Sequence, residues 1–394
     1  MLKREELTPL WLGICSTFAG VGLSRLAFSS IQPELIEQLW FSADNATLLG
    51  AINLAGYLAG AVLCSWILNT IRPRRALLIS YLLITLSFLL CALPGSFYWF
   101  ALWRFISGAS GAVLMILGPA MALAVTSKTS RPKLGTLMFS GIGLGAALSG
   151  IILPSFLSLG LTSIWLILAV LTLITGSLAS YCMRALRGKE SPHNCAHSPL
   201  THDPKRVSLI ILAYSLAAAG FVPHTLFWVD YLSREKELGI VIASGQWFLF
   251  GIGAMLGSLL AYLGSRRFGC DNSLSLAFVA KALAVFLALL AEAPVARGLS
   301  SILVGTMIPC ITGLTAARLA ELVDAAQYPK YWRSATLSFA LAQAAAGYLL
   351  SQLYQVQGSY TPLFLIGASL LCLSAVAAIS SQQNPPIRFR YVSK

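Results

Sequence analysis

Residues 20–33 read GVGLSRLAFSSIQP, and this stretch decides what kind of protein the chain makes. It lies inside an apolar run from Leu10 to about Leu39. A run of that length crosses a bilayer, which takes roughly 20 apolar residues at a rise of about 1.5 Å each. Yet Arg25 sits in its interior. A guanidinium facing lipid costs on the order of 3 kcal/mol or more, so Arg25 is expected to face the bundle interior or a water-filled path. Gly22, Arg25, Ser29 and Gln32 follow one another at helical spacing and are expected on one face. Two roles fit such an arginine: holding backbone carbonyls of a neighbouring helix, or meeting a ligand. The second is the role expected of Arg25.

Outward from that stretch, the whole chain looks like membrane protein. Of its 394 residues 57% are hydrophobic and 10% charged, where a soluble domain carries about 25% charge. Twelve apolar segments of helical length follow one another, from 9–38 to 361–380. None shows the short alternation of a transmembrane barrel. The predicted fold is an all-α membrane protein of twelve transmembrane helices in two pseudo-symmetric six-helix bundles. Its expected domains are a bundle over 1–183, a linker over 184–206, a second bundle over 207–380 and a tail over 381–394. The linker, RALRGKESPHNCAHSPLTHDPKR, is rich in Pro, His, Ser and charge.

The basic residues set the orientation. With both termini in the cytoplasm, 21 of the 27 lysines and arginines fall on the inner side, three on the outer side (Arg234, Lys236, Arg297) and three inside spans (Arg25, Arg104, Lys281). This places the protein in a bacterial-type inner membrane. It also explains the net charge of +13 as orientation and attraction to anionic headgroups, with no nucleic-acid partner required.

The two halves resemble each other faintly at an offset of about 196 residues, which pairs Glu34 with Asp230. Glycines recur four apart as Gly56/Gly60, Gly141/Gly145 and Gly253/Gly257. That spacing lets helix backbones approach closely, and it gives surfaces along which helices can rock.

Several segments together resemble the major facilitator superfamily, most closely its YbfB/YjiJ-type branch: GVGLSRLAFSSIQP, INLAGYLAGAV (52–62), RFISGASGAV (104–113), GTLMFSGIGLGAALSGIILP (135–154), YSLAAAGFVPHTLF (214–227) and GQWFLFGIGAMLG (245–257). The resemblance covers nearly the whole chain and implies a secondary transporter working by alternating access. Two departures stand out. The superfamily's loop between its second and third helices has an acid before a Gly-Arg-Arg group; here Thr70 and Pro73 stand at the acid and glycine positions, with Arg74 and Arg75 following. The fifth helix is similar to the antiporter signature, with Ala146 in place of its proline and Ser149 in place of one glycine.

The deepest ionisable groups by position are Arg25, Arg104, Lys281 and His224, with no Asp or Glu at the same depth. Buried cations need partners. The expected partner is the substrate, a small organic anion such as a carboxylate or an iron-chelating metabolite, gripped by the planar fork of Arg25. Asn53, Tyr57, His224, Trp228, Gln246 and Gln343 are the other candidate substrate-binding residues. Arg104, near its helix end, has the option of snorkelling. Glu34 and Asp230 are the candidates for ion or proton coupling, with His224 a further one. Gly56, Gly60, Gly141, Gly145, Gly253, Gly257, Arg74 and Arg75 are the candidate conformational positions.

No cofactor, metal site or enzymatic chemistry is expected. His193, Cys195, His197 and His202 match no standard metal spacing. The Gly188–Lys189 pair lacks a Walker A context. The eight cysteines avoid the outer loops, so no disulfide framework is expected. The expected partners are a small molecule, H+ and the bilayer, with the protein monomeric. Rival readings are proton-coupled efflux of amphipathic compounds and a sensor that does not translocate.

Overall fold

The computed structural model describes residues 4–127, 130–186, 204–323 and 327–382. Among these residues the secondary structure is helical throughout. The chain opens with α1 (Arg4–Thr17), runs through a nine-residue π-helix (Phe18–Leu26) and continues as α2 (Ala27–Glu37). There follow α3 (Ala43–Thr70), α4 (Pro73–Leu90), α5 (Phe97–Ala124), α6 (Arg131–Met138), α7 (Ser140–Phe156) and α8 (Gly160–Ala185). The rest comprises α9 (Pro204–Gly220), α10 (Val222–Leu226), α11 (Trp228–Asp230) and a short π turn (Tyr231–Glu235). After them come α12 (Gly239–Leu287), α13 (Pro294–Leu322), α14 (Tyr328–Gln357) and α15 (Thr361–Ser380). All twelve apolar segments of the sequence fall on these helices. The linker histidines and Cys195, together with Gly188 and Lys189, lie outside the described residues.

Local chemistry explains where the helices start and break. The hydroxyls of Ser42 and Ser96 accept from the Asn45 and Trp99 amides and cap α3 and α5. Pro73 and Pro294 open α4 and α13, where a missing N–H is harmless. Among the described residues, eight stretches are long and apolar enough to cross a membrane. Two of them, Ser140–Ala185 and Gly239–Leu290, are 46 and 52 residues long, far more than one crossing needs. Each contains a break at a glycine with positive φ: Gly160 at 82° and Gly269 at 78°. The chain is thus a multi-pass membrane protein. Arg72 and Arg75 stand at the end of α3 and start of α4, and Arg266 at the corresponding end of the first half of α12; this end is called the basic face, and the opposite end, where Ser42 precedes α3 and Gly358 follows α14, the far face.

Two apolar cores follow the two halves of the sequence. One joins residues between Leu10 and Leu186, the other mainly residues between Val207 and Ala378. Inside each, glycine brings two helices to backbone contact. A Cβ added at Gly56, Gly60 or Gly108 would stand 2.1, 2.2 or 2.1 Å from the carbonyl oxygens of Phe105, Ala109 or Asn53. At Gly253, Gly257 and Gly305 it would stand 2.2, 2.0 and 2.0 Å from those of Ile302, Thr306 and Phe250. Every member of the second set lies 197 positions after its counterpart in the first. The α3–α5 pairing is therefore repeated, contact for contact, by the first half of α12 and α13. The sequence offset was faint, but the close approaches reproduce it because backbone contact tolerates no larger residue.

The halves meet along a seam. Ser29 donates to the Thr225 carbonyl, and Ser351 to that of Thr47 at 3.4 Å. Gly347 packs on Ala51 and Leu54, and Gly150 on Ser244 and Phe248. Gly143 meets Gly251 and Met255. Gly141 and Gly145 instead pack within the first half, against Thr17 and Gly22.

Candidate functional site

The π-helix of residues 18–26 shapes the site. Its i→i+5 turns are wider than α turns and are used where a helix must open to outside groups. The Ser24 carbonyl, inside this segment, receives two donors from neighbouring helices: Arg104 Nη1 at 2.9 Å and Asn53 Nδ2 at 3.3 Å. Asn53 Nδ2 also donates to the Arg104 carbonyl at 2.9 Å, and the Arg104 guanidinium lies 4.3 Å over the Phe28 ring. Arg104 is buried and does not snorkel. It and Asn53 tie α3 and α5 to the π segment.

Arg25, one residue on, points the other way. Its Nη1 donates to Gln343 Oε1 on α14 at 2.9 Å, across 318 positions of sequence. Arginine has no acceptor atom, so the Gln343 oxygen must face it and the Gln343 amide nitrogen must face elsewhere. That nitrogen and Arg25 Nε are both buried without a partner. Arg25 as a whole is 7% exposed. Among the described residues, no ion pair reaches Arg25, Arg104 or Lys281. The ring of Tyr57, half-buried on α3, lies close enough to feel the Arg25 charge. The π register spreads the four residues expected on one face. Gly22 packs on Gly145, Arg25 reaches α14 and Ser29 reaches the Thr225 carbonyl. Gln32 is buried with neither amide atom paired.

The remaining substrate-binding candidates gather within the second half. His224 is buried and stacked 4.3 Å from Trp228. Its Nε2 lies 3.4 Å from the Ser300 hydroxyl, and its Nδ1 has no partner. Trp228 donates to the Ser301 hydroxyl at 3.0 Å, which in turn donates to Gln246 Oε1 at 3.2 Å. Lys281 sits beside this group, its ammonium 3.7 Å over the Phe221 ring. The seven candidates thus divide: Arg25, Tyr57 and Gln343 gather at the seam; His224, Trp228 and Gln246 form a chain within the second half; Asn53 serves the π segment.

Towards the far face, Glu34 is buried and accepts from Gln38 at 3.3 Å. Asp230 is fully buried in a two-bonded ion pair with Arg234, and the Tyr360 hydroxyl also donates to it. Glu235 accepts from the Tyr360 amide and the Ser359 hydroxyl, holding the start of α15. In the loop beyond, the Glu292 carboxylate takes a hydrogen bond from Lys236 at 3.0 Å and holds its ammonium above the usual lysine range. At the basic face, Arg74 is half-buried beside Leu12 and Met183, and Arg75 is exposed.

The family described as "Uncharacterised MFS-type transporter YbfB" matches residues 17–379. The chain belongs to this family. It is also similar to Solute carrier family 22 member 12 of Rattus norvegicus, with 33% identity over 100 residues; the match covers 25% of this chain and 18% of that protein.

Sequence reasoning passed over several residues that shape the site in this YbfB-type chain. Arg104 was noticed but not tied to Ser24, because nothing local in sequence marks a π segment. Tyr214, Trp332 and Phe339 were not singled out, since aromatics at helical spacing usually mark core. Trp332 and Phe339 are half-buried on the face of α14 that ends at Gln343, and Tyr214, buried on α9, packs against both.

Proposed function

We propose that the protein is a secondary transporter working by alternating access. It crosses the membrane twelve times, in two six-helix halves, and moves a small organic anion, most simply a carboxylate. Membership of the transporter family and the glycine contacts repeated at 197 positions support the two-half reading. The similarity to a solute carrier of the rat agrees with a small-molecule cargo. The basic face is the cytoplasmic one, in an inner membrane of bacterial type, by the excess of lysine and arginine there.

One observation carries the choice of an anion. Both unpartnered polar atoms at the Arg25–Gln343 junction are donors, one from each half of the chain. A ligand that satisfies both must bring acceptors, and a carboxylate brings two oxygens with several lone pairs. Because the donors come from opposite halves, an anion between them links occupancy to the position of one half against the other.

H+ is taken as the coupling ion. Glu34, with a single amide partner, is the freer of the two carboxyl candidates; Asp230 is engaged by Arg234 and Tyr360. Uptake into proteoliposomes with and without an imposed pH gradient tests both parts. Wild type is expected to accumulate a carboxylate substrate only with the gradient. Arg25→Gln is expected to abolish uptake while eluting as a folded monomer in detergent. Unchanged transport by Arg25→Gln would overturn the anion site, and accumulation indifferent to the gradient would overturn the coupling.

A further inference from the structure

We propose that the cargo is an aromatic monocarboxylate, its charge on Arg25 and Gln343 and its ring against an aromatic column of the second half. The proposal rests on the anion reading above and adds the body of the molecule to its charge.

The column runs from the basic face to the Arg25 junction. Tyr328 stacks on Trp332 with ring centroids 6.5 Å apart and planes 5° from parallel. Trp332 stacks on Tyr214 at 6.4 Å, Tyr214 meets Phe339 in a tilted pair at 4.5 Å, and Phe339 meets Phe221, also tilted, at 6.0 Å. On α14, Trp332, Thr336, Phe339 and Gln343 follow at spacings of four, three and four, so they share one face. The first three are half-buried, and Gln343 closes the row beside Arg25. Aromatic side chains buried for packing alone are normally covered. Trp332 and Phe339 keep part of their surface open on the stripe that ends at the vacant donors, whereas Tyr214 and Phe221 are buried.

Charge sharpens the choice. Lys281 lies against one face of Phe221, at 3.7 Å. A cation on one face of a ring draws its electron density that way. The column beyond therefore suits an electron-rich ring carrying a negative group. The hydroxyls of Tyr214 and Thr312, 3.3 Å apart, are the polar pair along the column, placed for a hydroxyl on the guest ring. The other buried cations are committed, Arg104 to the Ser24 carbonyl and Lys281 to Phe221. Arg25, with its Nε unpartnered and no ion pair, fits one carboxylate, and a polyanion would leave charge unmatched.

The test is isothermal titration of the full-length protein in detergent with four probes: benzoate, cyclohexanecarboxylate, acetate and benzamide. Ring-on-ring contact is expected to make benzoate bind about three- to tenfold tighter than cyclohexanecarboxylate, which has similar size and the same charge. Phe339→Leu is expected to erase that ratio in protein that still elutes as a monomer. Equal binding of the two acids by wild type would overturn the aromatic proposal and leave the anion site standing. Binding of benzamide as tight as benzoate, or of no acid at all, would overturn both. The wild-type ratio decides the matter even if the Phe339 variant fails to fold.

Discussion

Two arginines of similar depth have different work. Arg104 gives a charge-assisted hydrogen bond to a backbone carbonyl and covers Phe28, so its contribution is to the fold. Such bonds are worth about 1.5–3 kcal/mol. Arg104→Met is accordingly expected to lower unfolding stability by about 2 kcal/mol and to leave the affinity for a carboxylate within twofold, as read by thermal melts and titration. A variant equally stable, with anion binding lost, would exchange the roles given to Arg104 and Arg25. The sequence marks Arg25 clearly, because a charge inside an apolar span stands out against its neighbours. It also offers Gln343 as one polar residue among several. What it does not contain is their pairing, which spans 318 positions and depends on how two separate cores dock. Asn53 shows the converse. Its polarity suggested a ligand contact, whereas its amide nitrogen is taken by two backbone carbonyls.

Helices are the best-read level of this chain, because the apolar segments are long and bounded by turns, and several open at a serine cap or a proline. Their internal irregularities are not readable in the same way. The π segment at 18–26 contains only residues that an ordinary helix accommodates, and its cause lies in the donors that α3 and α5 present to Ser24. Glycine spacing, by contrast, is read correctly as close packing, and the structure says which glycines matter. Gly257→Ala places a methyl group 2.0 Å from the Thr306 carbonyl oxygen and is expected to cost about 1–3 kcal/mol through forced separation of the helices. Gly245→Ala meets no atom within 4 Å and is expected to be neutral or slightly stabilising, since alanine is the better helix former. Melting temperatures of the two variants, measured side by side, check the contrast; equal shifts would contradict it.

At the scale of the whole molecule, the repeat faint in the sequence becomes plain in the backbone contacts, where substitution is least tolerated. The Ser29–Thr225 contact joins positions 196 apart, almost the repeat offset itself, so it lies close to the axis relating the halves. If the halves rock about such an axis, contacts near the far face must part in each cycle. Thr47 and Ser351 touch there from opposite halves. Thr47→Cys combined with Ser351→Cys, with the native cysteines replaced by serine, is expected to stop transport on oxidation and restore it on reduction. Transport that continues in protein shown to be crosslinked would rule out parting of the halves at this place. All of this depends on a negative guest between Arg25 and Gln343. The most direct measurement compares benzoate with benzamide, its neutral counterpart, as stabilisers of the wild-type protein and of Arg25→Gln in the same detergent. The account predicts that benzoate alone raises the melting temperature, and only in the wild type. Equal stabilisation of both proteins by benzoate would contradict it.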